Sequence, residues 1–131
     1  MSPDPGVEGS PWEEYAEAVL RVVEQIPRGR VTTYGAIAEA VGAVLDRGGP
    51  RLVGNVMARH GGGMPWWRVV RADGSLPPSH GDEARQAWLA EGTPLRPGGA
   101  VDIRAAFWAP DPPHGFGPGD DPEPGRATVG G

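Results

Sequence analysis

The chain has 131 residues, a formal net charge of −5 and no cysteine. Without cysteine it can form no disulfide, no Cys-ligated zinc or iron–sulfur site and no thiol nucleophile. No apolar stretch reaches membrane-spanning length and no signal peptide is visible, so we expect a cytoplasmic protein with no membrane contact.

Both ends of the chain are predicted to be disordered tails. Residues 1–10 are polar and rich in Pro and Gly, and residues 111–131 consist mostly of Pro, Gly and acidic residues. Such segments bury too little apolar surface to offset their chain entropy. We therefore expect one folded domain over residues 11–110, which is long enough for a modest core.

Positive charge is concentrated in the middle of the chain. Residues 28–71 contain seven arginines against Glu39 and Asp46, a local balance of 7 − 2 = +5. A GC-rich genome would explain the preference for Arg over Lys, but it does not explain the clustering. The cluster indicates an anionic partner such as nucleic acid, despite the negative net charge.

Three helices are predicted in the first half. Residues 12–26 carry an apolar stripe at helical spacing, and Pro27 ends it. A second helix covers residues 34–41, with Thr32 or Thr33 as N-cap and Gly42 as the terminating residue. Pro50 opens a third helix that runs to about residue 60. The second and third helices fit a helix-turn-helix.

The third predicted helix has an unusual outward face. Its apolar side holds Leu52, Val53, Val56 and Met57, and its opposite side holds Arg51, Gly54, Asn55 and Ala58. Gly inside a helix costs about 1 kcal/mol relative to Ala, so its presence needs a reason. Small outward residues would let the helix backbone approach another surface closely. The alternative is that Gly54 and Ala58 pack against a helix of the same domain.

The second half is predicted to contain a hairpin and a last helix. Val69 to Leu76 reads as a β-hairpin with an Asp-Gly turn, followed by a loop over residues 77–81. Residues 82–91 form a helix with Ala84, Ala87 and Trp88 inward. Leu95 and residues 101–108 are expected to close the domain as a short strand pair.

Five motifs in this order resemble the DNA-binding domain of the O6-alkylguanine-DNA alkyltransferases over roughly residues 15–95. They are the PxGxVTTYGxIAxxVG helix, the PRxVGNxM helix, a PxxRVV loop, the DG hairpin and a helix ending in EG. Active transferases have Pro-Cys-His-Arg in the loop, whereas this chain has Pro65-Trp66-Trp67-Arg68. Trp in place of Cys is typical of the alkyltransferase-like proteins, which the chain resembles more closely. The implied fold is mainly α with a small β-hairpin, a winged-helix-like helix-turn-helix domain.

The loop chemistry excludes the transferase reaction. Removing an alkyl group from guanine O6 requires a thiolate, and the indole of Trp66 offers only an N–H donor. Trp67 replaces the His that activates the thiol, and the alkyltransferase-like proteins normally keep that His. We expect no enzyme activity, no cofactor and no metal.

The resemblance implies roles for individual residues. Arg51 would enter the base stack, and Tyr34, with Thr33 beside it, would contact the phosphate of a flipped nucleotide. The face containing Gly54, Asn55 and Ala58 would lie in the minor groove. The flipped base would enter a pocket formed by Pro65, Trp66, Trp67 and Arg68 together with Ser75 and Ser79.

Several of these residues have simpler interpretations. Tyr34 fits a core tyrosine, Arg51 a phosphate clamp, and Arg68 a structural residue bonded to loop carbonyls. His60 and His80 fit solvated side chains. The relatives are expected to carry a basic residue in the loop after the hairpin, and His80 is the one residue there that can be cationic.

The sequence therefore predicts a non-enzymatic, monomeric sensor of O6-alkylguanine in double-stranded DNA. It would flip the damaged nucleotide and, by the resemblance, flag it for nucleotide excision repair proteins, placing it on the nucleoid when bound. The alternative is a helix-turn-helix transcription regulator or an architectural DNA-binding protein without lesion preference. The outward stripe has few side chains suited to base readout, which opposes the alternative.

Overall fold

The computed structural model describes residues 11–76 and 80–115, and its described part contains mostly helices. In chain order the elements are α1 (Pro11–Gln25), β1 (Thr32–Thr33), α2 (Tyr34–Leu45), α3 (Pro50–His60), β2 (Val69–Val70), α4 (Gly81–Glu91) and α5 (Ile103–Ala106). The mainly α fold class is confirmed. None of the helices in this part of the chain has the length and apolar character needed to span a bilayer.

Helices α1, α2 and α3 pack against one another around the main core. The predicted stripe of residues 12–26 supplies one side of this core, because its side chains recur on one face of the helix. The largest fully buried side chains of this cluster are Tyr15, Val19, Val23, Ile26, Ile37, Val41, Val53, Val56 and Val69.

Helix α2 runs past the predicted stop at Gly42 and ends at Leu45. Leu45 is buried in the core, so burial of this side chain favours another turn of helix. Asp46 then adopts the left-handed conformation (φ 56°, ψ 40°), and its N–H donates to the Gly42 carbonyl at 2.8 Å. The local signal at Gly42 was therefore overridden by packing.

The predicted β-hairpin forms its turn but no strand pair within the described residues. The Gly74 N–H donates to the Arg71 carbonyl at 2.8 Å and the Arg71 N–H donates to the Ser75 carbonyl at 3.0 Å, but β2 pairs with no strand among residues 71–76 and 80–115. Instead β2 pairs in parallel with β1, with Thr32 opposite Val69. Both residues of β2 are buried, a pattern typical of a strand covered on both faces.

A second, smaller core lies behind this sheet, formed by Val31, Val70, Ala84, Trp88, Val101 and Ala106. The predicted strand pair at the end of the domain is reduced to isolated bridges. Leu95 bridges Val101 in antiparallel fashion, and Phe107 bridges Val31 in parallel after the short helix α5.

The two predicted tails lie largely outside the described residues. Residues 1–10, 77–79 and 116–131 are not described, and the predicted pocket residue Ser79 is one of them. Residues 111–115 are described, and Pro113 is buried. The domain boundaries stay predictions.

Candidate nucleic-acid interface

A cavity of about 390 Å³ opens between α3, the start of α2 and the Trp66 loop. Its lining combines residues from all three with two from the region before α4: Tyr34, Gly54, Met57, Ala58, Gly61, Gly62, Trp66, Leu76 and His80. This volume lies in the range of small-molecule sites, and most of the lining side chains are apolar or absent. The cavity therefore has the volume and the mainly apolar lining of a small-molecule site.

The outward face of α3 stands as the helical spacing predicts. Arg51, Asn55 and Ala58 are exposed, and Gly54 is partly so. Apart from its chain neighbours and the nearby backbone of α3 itself, a methyl group built on Gly54 would meet no described atom within 4 Å. The alternative that Gly54 packs against another helix is therefore wrong. The small side chains of Gly54 and Ala58 instead keep the cavity open.

Two residues at the start of α2 carry hydroxyl groups, and one of them, Tyr34, lines the cavity. Thr33 is the N-cap, and its Oγ1 accepts a hydrogen bond from the Ala36 N–H at 3.0 Å. Tyr34 is half-buried against the main core and lines the cavity. Burial raises the pKa of Tyr34 above its usual range, while the nearby charge of Arg71 acts to lower it. The phenol therefore keeps its proton, and its capacity to donate, at neutral pH.

The predicted pocket loop is divided between two sides. Trp66 lines the cavity, but Trp67 does not, and the two rings meet edge to face at 5.6 Å. The Trp67 indole N–H donates to Glu91 Oε2 at 2.8 Å, and its carbonyl accepts from the Trp88 indole at 2.7 Å. Trp67 is thus bonded behind the loop.

Arg68 also points away from the cavity. Its Nη2 lies 2.7 Å from Glu91 Oε2, and its Nη1 donates to the Ile26 carbonyl at 3.0 Å. The side chains of Arg68 and Glu91 are only 16% and 4% exposed, so this ion pair is largely removed from solvent. The structural interpretation of Arg68 fits this geometry, which ties α1, the loop and α4 together.

Glu91 is a site residue that the sequence reasoning missed. Besides Trp67 and Arg68, the Gly29 N–H donates to its Oε1 at 3.0 Å. Burial acts to raise the pKa of this carboxyl, but the hydrogen bonds from Arg68, Gly29 and Trp67 outweigh it, so the pKa lies below its usual range. The sequence feature that could have indicated this role is an acidic residue at the last position of a helix, and the structure packs that helix on the loop. Met57, Gly61 and Gly62 were also missed as lining residues, whereas Leu76 and His80 belong to the loop over residues 75–81 that was predicted to border the pocket.

Pro65 and Ser75, the other predicted pocket residues that the structure describes, do not line the cavity. Pro65 accepts the Arg68 N–H at 3.0 Å and so shapes the 3₁₀ turn that carries Trp66. The Ser75 hydroxyl donates to Asp73 at 2.6 Å within the Asp-Gly turn. This hydrogen bond, with a second from the Ser75 backbone, holds the pKa of the Asp73 carboxyl below its usual range.

The arginine cluster also separates into structural and exposed members. Four of the seven arginines in residues 28–71 donate hydrogen bonds to other groups of the chain: Arg28, Arg30, Arg47 and Arg68. Arg59 lies over the Trp12 ring at 5.8 Å. The guanidinium of Arg51 has no hydrogen-bond or ion-pair partner among residues 11–76 and 80–115. Arg51 is therefore the member of α3 best placed to contact an external anion.

The site contains no group that can perform alkyl transfer. The chain has no cysteine, and position 66 of the loop is a tryptophan whose ring carbons and N–H offer no thiolate. In the described part of the chain, no cluster of three or more His, Asp or Glu residues could hold a metal ion. The arrangement offers stacking, hydrogen-bond donors and space, which are the means of binding.

Several known proteins are similar to this chain in sequence and in fold. Residues 14–92 match the family described as the DNA-binding domain of 6-O-methylguanine DNA methyltransferase. The chain is 35% identical over 100 residues to a DNA base-flipping protein of Escherichia coli, covering 73% of this chain and 75% of that protein. It is 32% identical over 102 residues to a DNA base-flipping protein of Vibrio parahaemolyticus, covering 75% and 99% respectively.

Solved structures show the same relationship. The crystal structure of S. pombe Atl1 in complex with damaged DNA containing O6-carboxymethylguanine matches with a TM-score of 0.61 and 25% identity, covering 73% of this chain and 95% of that one. A second S. pombe ATL structure, in complex with DNA, matches with a TM-score of 0.60. With these matches and no cysteine, the chain belongs to the family of 6-O-methylguanine DNA methyltransferase DNA-binding domains, as a non-catalytic, alkyltransferase-like member.

Proposed function

We propose that this protein is a non-enzymatic sensor of O6-alkylguanine in duplex DNA. It binds through the minor groove, flips the damaged nucleotide into the cavity beside Trp66, and flags the site for nucleotide excision repair. The observation that carries the proposal is one cavity that joins Trp66 to the small-residue face of α3. A helix that lies against DNA on this face has a receptacle for a base directly beside it.

The side chains around the cavity suit the steps of base flipping. Extruding a nucleotide costs a few kcal/mol of unstacking and unpairing, and something must fill the gap. Arg51, exposed in the first turn of α3, is the proposed filler. Tyr34 is the proposed donor to the rotated phosphate, and Trp66 supplies a ring for the flipped base. Such ring contacts contribute roughly 1–3 kcal/mol per base.

The base-flipping relatives and the damaged DNA in the Atl1 crystal structure support this proposal. The E. coli and Vibrio proteins are DNA base-flipping proteins, and S. pombe Atl1 was crystallised on DNA containing O6-carboxymethylguanine. The same fold and a Trp-lined cavity give this chain the means for an equivalent interaction. Thr33 and Asn55 are proposed as further contacts to the DNA backbone and groove.

The test compares two short duplexes that differ only in one O6-methylguanine, at one salt concentration. We expect wild type to prefer the modified duplex. Arg51→Ala should lose affinity on the order of tenfold, because a filler of the base stack is a central contact. Arg59→Ala is the matched control, since Arg59 is exposed on the same helix but lies over Trp12. The methyl group should remain on the DNA afterwards.

Equal binding to both duplexes would refute lesion sensing and favour the alternative, a regulator or architectural protein. The repair step has a separate readout. Purified excision-repair proteins should incise the modified duplex more often when the protein is present, and no change would refute that step alone.

A further inference from the structure

We propose that His80 makes the Trp66 cavity select guanine adducts that carry a negative charge, and that this selection strengthens as the pH falls. The inference rests on the proposed function and specifies its substrate class. His80 lines the cavity, and its ring lies 5.4 Å from the Trp66 ring at an interplanar angle of 55°. The imidazole is therefore at the rim, beside the indole proposed to contact the base.

The rest of the lining does not change charge near neutral pH. Its glycine, alanine, methionine, leucine and tryptophan residues are uncharged, and Tyr34 keeps its phenolic proton because burial raises its pKa. The undescribed residues 77–79 are Pro, Pro and Ser, which have no titratable side chain. Histidine is the side chain whose ordinary pKa places its charge change between about pH 5 and 8. Among the described residues that line the cavity, His80 is the one histidine.

The neighbouring charges determine the direction in which the preference for an anionic adduct changes with pH. His80 directly precedes α4, and its Nδ1 lies 3.8 Å from Oε1 of Glu83 in the first turn of that helix. On the other side of the cavity, Arg71 follows β2 and acts on Tyr34, while α3 contributes only Gly54, Met57 and Ala58 to the lining. With His80 neutral, the Glu83 carboxylate opposes an anionic adduct. With His80 protonated, the rim offers an imidazolium donor to that adduct.

The carboxymethyl adduct is the natural probe because it adds a carboxylate to guanine O6. Its uncharged counterpart is the carboxamide of the same size and shape. The ratio of affinities for duplexes containing these two adducts isolates the charge of the adduct. Any pH effect on the contacts with the DNA backbone cancels in that ratio, since the two duplexes are otherwise identical.

The experiment measures this ratio for the full chain at about pH 6 and about pH 8.5, on either side of the usual histidine range. For wild type we expect preference for the carboxylate to rise on the order of fivefold at the lower pH, since His80 is 60% exposed and exposed ion pairs are weak. His80→Gln should abolish the pH dependence. His80→Arg should keep the preference at both pH values.

The matched control is His60→Gln, which removes another exposed histidine that lies against Trp12 and does not line the cavity. It should behave as wild type. A wild-type ratio that does not change with pH, or a pH dependence that persists in His80→Gln, would overturn the inference while leaving lesion sensing intact. If neither adduct is preferred over unmodified DNA, the proposed function fails and the inference fails with it.

Discussion

The two tryptophans of the loop lie in opposite environments. Trp67 donates to Glu91 and is held from behind by Trp88, whereas the Trp66 indole N–H has no hydrogen-bond partner among residues 11–76 and 80–115. Trp66 instead borders a cavity that also takes in the outward face of α3. The indole N–H and carbonyl of Trp67 and the guanidinium of Arg68 are thus bonded within the protein, whereas the Trp66 ring faces the cavity.

This difference explains how one short loop can be both rigid and available. A binding group discriminates well only when the residues that support it hold it in a fixed position. The Glu91 carboxylate accepts hydrogen bonds from Gly29 and from the neighbouring loop residues Trp67 and Arg68, and so fixes the loop from behind. Trp66 can then remain partly exposed without losing its orientation.

The largest effect should come from breaking the supporting side. Glu91→Ala leaves the largely buried guanidinium of Arg68 without its carboxylate, which typically costs about 3–5 kcal/mol. We expect the free energy of unfolding, measured by urea denaturation, to fall by about that amount. Glu39→Ala, at an exposed position of α2, is the control and should change it by less than about 0.5 kcal/mol. A small effect at Glu91 would mean that the loop does not depend on this carboxylate.

Substituting the two tryptophans separately tests which ring supports the fold and which one contacts DNA. Trp67→Phe keeps a ring but removes the N–H donor to Glu91, so unfolding should become easier by about 1–3 kcal/mol. Trp66→Leu keeps an apolar side chain but removes the ring that would meet the base. It should lower affinity for an O6-methylguanine duplex on the order of tenfold, with a smaller change in stability.

Urea denaturation and duplex titration of both variants separate the two roles. If Trp66→Leu binds the modified duplex as wild type does, the ring is not a base contact. If Trp67→Phe is as stable as wild type, the indole hydrogen bond contributes nothing measurable.

The features that depend on local signals could be predicted from the sequence. The start and end of α3 were correct because Pro50 and the run of glycines after His60 act on their own neighbours. The outward position of Arg51 followed from helical spacing alone. The Asp73-Gly74 turn also formed as predicted, since Gly74 takes a positive φ of 85°.

The features that depend on contacts between distant parts of the chain could not be predicted from the sequence. The partner of β2 lies before α2, and no periodicity in Val69-Val70 indicates which strand it will meet. The burial of Glu91 depends on Gly29 and Arg68, which approach it only after α1, the loop and α4 have packed. Trp66 was identified by resemblance to a family loop, while the separate direction of Trp67 needed the structure.

The smallest expected change in stability concerns the open side of the comparison, at Gly54. An added side chain there meets open space, and Gly is a poor helix former, so Gly54→Ala should raise the free energy of unfolding by about 0.5–1 kcal/mol. Gly54→Leu should also fold. Affinity for duplex DNA should nevertheless fall with the size of the new side chain, by about tenfold for Leu, because a bulky residue keeps α3 out of a minor groove about 6 Å wide.

Gly42→Ala provides the matched control, because Gly42 also lies inside a helix with no atom within 4 Å of an added methyl group and does not line the cavity. It should gain similar stability while DNA affinity stays at the wild-type value. If stability rises and DNA affinity falls at Gly54, while only stability rises at Gly42, then Gly54 is needed for contact with DNA and not for folding. Unchanged affinity in Gly54→Leu would mean that this face of α3 does not enter the groove, and the cavity beside Trp66 would then need another route of entry for the base.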